Sequence, residues 1–181
     1  MTRVSELTIM AGASQGMLRN LGEGLGFRVQ TTMSGRRDSL LRFEVSDQDA
    51  CGELPELALI DTVWFETGTN RIAAAFNHEH GADIFSGVVR MLDFALRLPD
   101  PLGVDCFIVA PNMRQRAIQT EFESLLFPQV SALDLRFLPY GELRKLRAAD
   151  LLAREGLAMV RASSRPLHRN AVSVAFSSGL E

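Results

Sequence analysis

The residues of this chain best suited to chemistry gather between Leu59 and His80. Asp61 interrupts an apolar run, Leu59-Ile60-Asp61-Thr62-Val63-Trp64-Phe65, and a second apolar run closes on Phe76-Asn77-His78-Glu79-His80. Side chains alternate between the two faces of an extended strand. Asn77 and Glu79 therefore share one face with Ala73 and Ala75, while Ile72, Ala74, Phe76, His78 and His80 share the other. If Asp61 joins the first face from the preceding strand, three oxygen-bearing side chains can surround a hard divalent cation such as Mg²⁺. Such an ion polarises a phosphoryl oxygen and supplies a hydroxide nucleophile. Asp61, Asn77 and Glu79 are thus the candidate metal ligands and catalytic residues.

Each has a plainer reading. A carboxylate in an apolar strand needs a partner, and a strand-end hydrogen bond meets that need for Asp61 as well as a metal does. Asn77 at a strand end can instead satisfy loop backbone. His78 and His80 form an H-x-H pair of the kind that binds zinc. No third ligand is evident nearby, and alternation turns both rings away from Glu79, so a packed, hydrogen-bonded histidine is the expectation for at least one of them.

Two strands must carry these residues, Ala58 to Phe65 and Arg71 to His80, joined by the hairpin-length loop Glu66-Thr67-Gly68-Thr69-Asn70. Before them come a helix over Ala13 to Leu25 ended by Gly26, a strand over Phe27 to Thr31, a turn at Ser34 to Asp38, a short strand over Leu40 to Val45, and a loop over Ser46 to Glu56. After them Ala82 to Leu98 places Ile84, Phe85, Val88, Met91, Leu92, Ala95 and Leu96 on one helical face. Asp83, Ser86, Arg90, Asp93 and Arg97 lie opposite, a stripe that reads by default as a solvated face, with Asp93 spaced to pair with Arg90 or Arg97. A buried strand follows over Val104 to Ala110, then a helix over Arg114 to Leu126, a strand over Leu133 to Leu138, and a helix running from Gly141 through Leu143, Leu146, Leu151 and Leu152. The alternation of elements gives an α/β class, a mixed central sheet flanked by helices. Residues 1–147 form the main domain and 148–181 a C-terminal helix with a tail of little periodicity after Val160. Trp64, the only Trp, is assigned to the core.

Composition sets the frame. The 181 residues carry 46% apolar and 23% charged side chains, ordinary values for a globular chain with a real core. Net charge is −3, which gives no global attraction to nucleic acid. Basic residues nevertheless outnumber acidic ones from Asn112 to Asn170, and all but Lys145 are Arg. Arg suits bidentate phosphate contact, and codon usage in a GC-rich genome accounts for the bias equally well. Cys51 and Cys106 suggest no disulfide framework, no apolar run is long enough to span a membrane, and the first residues lack a secretory pattern; a cytoplasmic protein is the expectation.

Several segments, in order, resemble the PD-(D/E)xK, or restriction-endonuclease-like, superfamily, and within it a bacterial group with an E-x-E strand followed by a Ser-Gly...Arg-Met...Asp helix. Ile60-Asp61-Thr62-Val63-Trp64 resembles the Asp-bearing strand, and Ala75-Phe76-Asn77-His78-Glu79-His80 the E-x-E strand. Ile84-Phe85-Ser86-Gly87-Val88-Val89-Arg90-Met91-Leu92-Asp93 resembles the helix that follows and is the most specific block. Ile108-Val109-Ala110-Pro111 with Arg114 is similar to the next strand and its exit, and Gln15 through Gly26 to the first helix, whose polar residue faces the site. The likeness spans roughly residues 13 to 147. It implies a domain that binds nucleic acid, DNA before RNA, with Mg²⁺-dependent phosphodiester hydrolysis, in which Ser86, Arg90 and Gln15 contact substrate. The departure is Asn77, which stands where the resemblance expects the first Glu of E-x-E. An amide ligates through oxygen without charge, and loss of a carboxylate weakens Mg²⁺ binding. The alternative is a catalytically inactive pseudo-nuclease kept as a binding or assembly module, through a homodimer or the residues after Ala148.

Overall fold

In the computed structural model, residues 3–32, 60–79, 84–98, 103–124, 134–148 and 153–167 are described. The turn at Ser34 to Asp38, the strand over Leu40 to Val45, the loop over Ser46 to Glu56, Cys51, His80 and residues 168–181 lie outside them. The elements run α1 (Arg3–Gly24), β1 (Arg28–Thr31), β2 (Thr62–Phe65), β3 (Ile72–His78), α2 (Ile84–Arg97), β4 (Asp105–Ala110), a 3-10 turn (Asn112–Arg114), α3 (Gln115–Ser124), β5 (Leu135–Pro139), α4 (Tyr140–Ala148), α5 (Ala153–Ser163) and β6 (Arg165–Pro166).

The strands form one six-stranded sheet in the order β1-β2-β3-β4-β5-β6. β1, β2 and β3 pair antiparallel. β3, β4 and β5 then run parallel, because a helix carries the chain back to the starting end between each pair. β6 closes the far edge antiparallel to β5. Helices cover both faces. On one, α2 and α3 contribute Val88, Met91, Phe94, Ala95, Ile118 and Phe122 against Val63, Ala75, Cys106, Ile108 and Phe137. On the other, α1 with the turn after it, α4 and α5 contribute Leu18, Leu21, Leu25, Leu143, Leu146 and Val160 against Trp64, Ala74, Phe76, Phe107 and Val109. This is the expected α/β arrangement, a mixed sheet flanked by helices, and it is consistent with a restriction-endonuclease-like fold.

Local chemistry explains the joints. α1 ends with Phe27 N–H donating to Gly22 O at 2.9 Å and Gly26 N–H to Glu23 O at 3.0 Å. That pair of bonds is a Schellman closure, and Gly26 supplies the positive φ of 83° it requires. The β2–β3 hairpin turns on Gly68, φ 79°, and Arg71 clamps its base by pairing with Glu66. That hydrogen bond holds the Glu66 carboxyl below the usual carboxylate range. Gly22 lets α1 lie on the sheet, since a Cβ there would stand 2.6 Å from the Trp64 ring and 2.7 Å from Val29.

Three details differ from the sequence reading. α1 begins well before Ala13, at Arg3. On α2, Leu96 is exposed and Phe94 buried; at 3.6 residues per turn the buried arc runs from Phe94 through Met91 and Val88 to Leu92, leaving Leu96 beyond its edge. The last helical stretch is two helices, α4 and α5. α5 and β6 pack on the same sheet as the elements before residue 147, fastened by a polar clasp at the start of β4 and β5. There Arg136 donates to Ser164 Oγ at 2.6 Å and to Asp134 at 3.1 Å, and Arg161 pairs with both Asp105 and Asp134. Burial pushes the Asp105 carboxyl up despite Arg161 beside it.

Candidate functional site

The site lies at the other end of the sheet, where β2 begins and β3 ends. Thr62 stands opposite Phe76, so the next step along that ladder brings Asp61 beside Asn77. Asp61 Oδ2 accepts the backbone N–H of His78 at 2.7 Å, the strand-end hydrogen bond foreseen for it. β3 continues its parallel pairing through Glu79, whose N–H donates to Val109 O at 2.9 Å. Asn77 is fully buried and Glu79 4% exposed, both on the α2 face as alternation requires.

A small network binds them to α2. Asn77 Nδ2 donates to Gly87 O at 3.1 Å and to Glu79 Oε1 at 3.2 Å, and Arg90 donates to the same Oε1 at 3.0 Å. Both partners of the amide nitrogen are pure acceptors, which fixes which end of the amide is which. Asn77 Oδ1 is left buried with no hydrogen-bond partner among the described residues. Gly87 makes the close approach possible, because a Cβ there would overlap the Glu79 carboxylate and stand 2.7 Å from its Cγ.

On the opposite face His78 Nδ1 lies 3.0 Å from Ser14 Oγ of α1. Tyr140, at the junction of β5 and α4, shares Ser14 as a hydrogen-bond partner. Burial pushes its phenol up to about 12; the Ser14 bond opposes that, and the charges of Asp61 and Glu79 reinforce it. Tyr140 is the only tyrosine of the chain, so an ultraviolet absorbance titration reads it alone and should give a midpoint near 12. The folded phenol keeps its proton above the ordinary value of 10. Stability is therefore unaffected below pH 10 and falls as pH rises through that interval, by about 2–3 kcal/mol in all. A midpoint at 10 in the folded protein would place the ring in water.

The other expected residues fall as follows. Gln15 donates from Nε2 to Asp61 O at 2.9 Å and Thr32 O at 2.7 Å; it ties α1 to the backbone that presents Asp61. Ser86 is half-buried in the first turn of α2. Arg90 is engaged with Glu79, and Asp93 pairs with Arg97 at 3.0 Å. His78 faces Ser14, away from Glu79, as alternation demands. Sequence reasoning missed Ser14, Tyr140 and Gly87. Of these only Gly87 gave a signal, a glycine inside a strongly periodic helix, which marks a close approach.

Among the described residues no group of three or more His, Cys, Asp or Glu is arranged to hold a metal. The oxygen donors at this strand end are the Asp61 carboxylate and the orphaned Asn77 Oδ1, with the Glu79 carboxylate beside them held by Arg90 and Asn77. With an amide in one place, that set offers a hard divalent cation less charge than a full carboxylate set supplies.

A family model for the C-terminal domain of the type II restriction enzyme NmeDI matches residues 12–163. The chain belongs to this family. The matched span includes Asp61, Asn77, Glu79 and the α2 network, and it extends to the end of α5, past the limit of roughly residue 147 drawn from the sequence. The match covers most of the chain. No curated protein and no solved structure matches the chain. Among the described residues no helix is long and apolar enough to cross a membrane.

Proposed function

We propose that this domain binds nucleic acid, DNA before RNA, at the sheet end formed by Asp61, Asn77 and Glu79, and that Mg²⁺-dependent phosphodiester hydrolysis there is weakened by Asn77. The observation that carries this reading is the meeting of these three residues at one strand end in a chain of restriction-enzyme family. In the PD-(D/E)xK pattern Asp61 and Asn77 would take the places of the two acidic residues, and Glu79 the place where many members carry Lys. Bound Mg²⁺ would polarise a phosphoryl oxygen and activate water. Asp61, held by the His78 N–H, and Asn77 through Oδ1 would ligate it, and Glu79 would orient the attacking water. Ser86, and the part of Arg90 that faces solvent, would steady the phosphate at the start of α2.

A second reading is favoured by one contact. The Arg90–Glu79 pair already balances the charge of Glu79, as suits a pseudo-nuclease that binds nucleic acid or assembles with a partner and no longer cuts.

Supercoiled plasmid incubated with Mg²⁺ or Mn²⁺ tests the two. The first reading expects slow nicking that disappears in Asp61→Ala and rises about tenfold or more in Asn77→Glu, since tenfold corresponds to about 1.4 kcal/mol of barrier. Cleavage in Asn77→Glu with none in the parent selects the second. A parent that neither nicks plasmid nor retards it in a gel at low salt overturns both nucleic-acid readings.

A further inference from the structure

The Glu79 carboxylate is almost wholly removed from water, and an anion there needs compensation. This chain supplies it from its own side chains, with Arg90 Nη2 at 3.0 Å and Asn77 Nδ2 at 3.2 Å, both on Oε1. The same amide nitrogen is held by Gly87 O at 3.1 Å. Turning the amide over so that Oδ1 faces Glu79 would set an acceptor against two acceptors.

We infer that Arg90 is a built-in counter-charge for Glu79, assisted by Asn77 as a neutral hydrogen-bond donor, and that it competes with a divalent cation for the same carboxylate, so that the domain holds its site together without metal. The inference rests on the reading of this strand end as a cation site. A dication approaching Glu79 must displace the guanidinium or sit beside a positive charge, and it meets the N–H side of Asn77. The Arg90 contact is a single-donor bond and not the two-pronged fork that makes Arg–carboxylate pairs strong. Arg90 Nε is buried without a hydrogen-bond partner among the described residues, and the side chain as a whole is 32% exposed. The guanidinium is thus incompletely satisfied where it sits and has a path to solvent, which makes it a latch that a strong enough competitor, or a phosphate, can lift.

The test is thermal melting of the full chain, followed by fluorescence of Trp64, with MnCl₂ or MgCl₂ as the probe against a chelator control. The variants are Arg90→Gln, which removes the charge, and Arg90→Lys, which keeps it. In chelator Arg90→Gln melts below the parent, because Glu79 has lost the guanidinium charge. At Mn²⁺ about a hundredfold above its dissociation constant, that variant rises by about 5 °C or more, while the parent and Arg90→Lys move by less than about 1 °C. A parent shift as large as that of Arg90→Gln, or an Arg90→Gln protein indifferent to metal, overturns the inference. Should Arg90→Gln not fold, Asn77→Asp removes the other donor and should show the same metal-dependent rise; its absence is equally fatal. The outcome is separable from the nucleic-acid proposal. Plasmid retardation with no metal shift in any variant sinks the counter-charge and leaves DNA binding standing. A metal shift in Arg90→Gln without plasmid retardation does the reverse.

Discussion

Gly87→Ala is expected to destabilise the domain by about 3–5 kcal/mol, against the intrinsic preference of a helix for alanine, which favours the change by up to about 1 kcal/mol. The added methyl would overlap the Glu79 carboxylate, and neither side can retreat cheaply. α2 is pinned by Val88 and Met91, both fully buried, and Glu79 is held by backbone pairing to β4. Relief by moving the carboxylate breaks its bonds to Arg90 and Asn77, and separating a buried charge from its partner costs about 3–5 kcal/mol. Urea denaturation followed by Trp64 fluorescence measures the loss. Glu79→Ala in the same background should restore part of it, as expected for two residues in direct contact. A Gly87→Ala protein as stable as the parent would show that α2 does not approach β3 as described.

Phe76→Ala is the second large effect, also about 3–5 kcal/mol, the usual range for truncating a buried phenylalanine. The ring is fully buried, with its centroid 4.6 Å from that of Trp64 and 4.9 Å from that of Phe107. Trp64 stacks in turn on Phe27 at 5.3 Å. Four aromatic rings thus form the floor beneath the strand end, and Phe76 is its centre. Removing it should lower the denaturation midpoint and shift the emission of Trp64. A loss under about 1 kcal/mol would mean that the neighbouring rings close the gap.

Both expectations concern residues whose setting was only partly legible in the sequence. The alternation of Ile72 to Glu79 assigned faces correctly because period two is a property of the extended backbone itself. It therefore fixed that Asn77 and Glu79 would point together and His78 apart. The order of strands and helices followed from periodicity and from breakers such as Gly26 and Gly68. What the sequence did not carry were contacts between residues far apart in the chain. Ser14 with His78, Tyr140 with Ser14, and Gly87 against Glu79 each depend on how a helix is laid on the sheet. No local pattern encodes that. β6 escaped for another reason, since two residues paired with Arg136 and Phe137 have no periodicity to read. Phe94 was missed because the buried arc of α2 is wider on that side than a narrow stripe would be.

The polar clasp of Arg136, Arg161, Asp105 and Asp134 has a practical consequence for engineering this molecule. Asp105 pairs across the sheet with Ala74, and His78 with Val109, so the clasp and Glu79 sit at opposite ends of the same strands, about 15 Å apart at strand rise. That exceeds the range of about 7–10 Å within which substitutions usually fail to add. The protein is in effect wired as two separate circuits. Charges can be traded in the clasp to raise or lower the stability of the whole fold while the electrical environment of Asp61, Asn77 and Glu79 is left as it was.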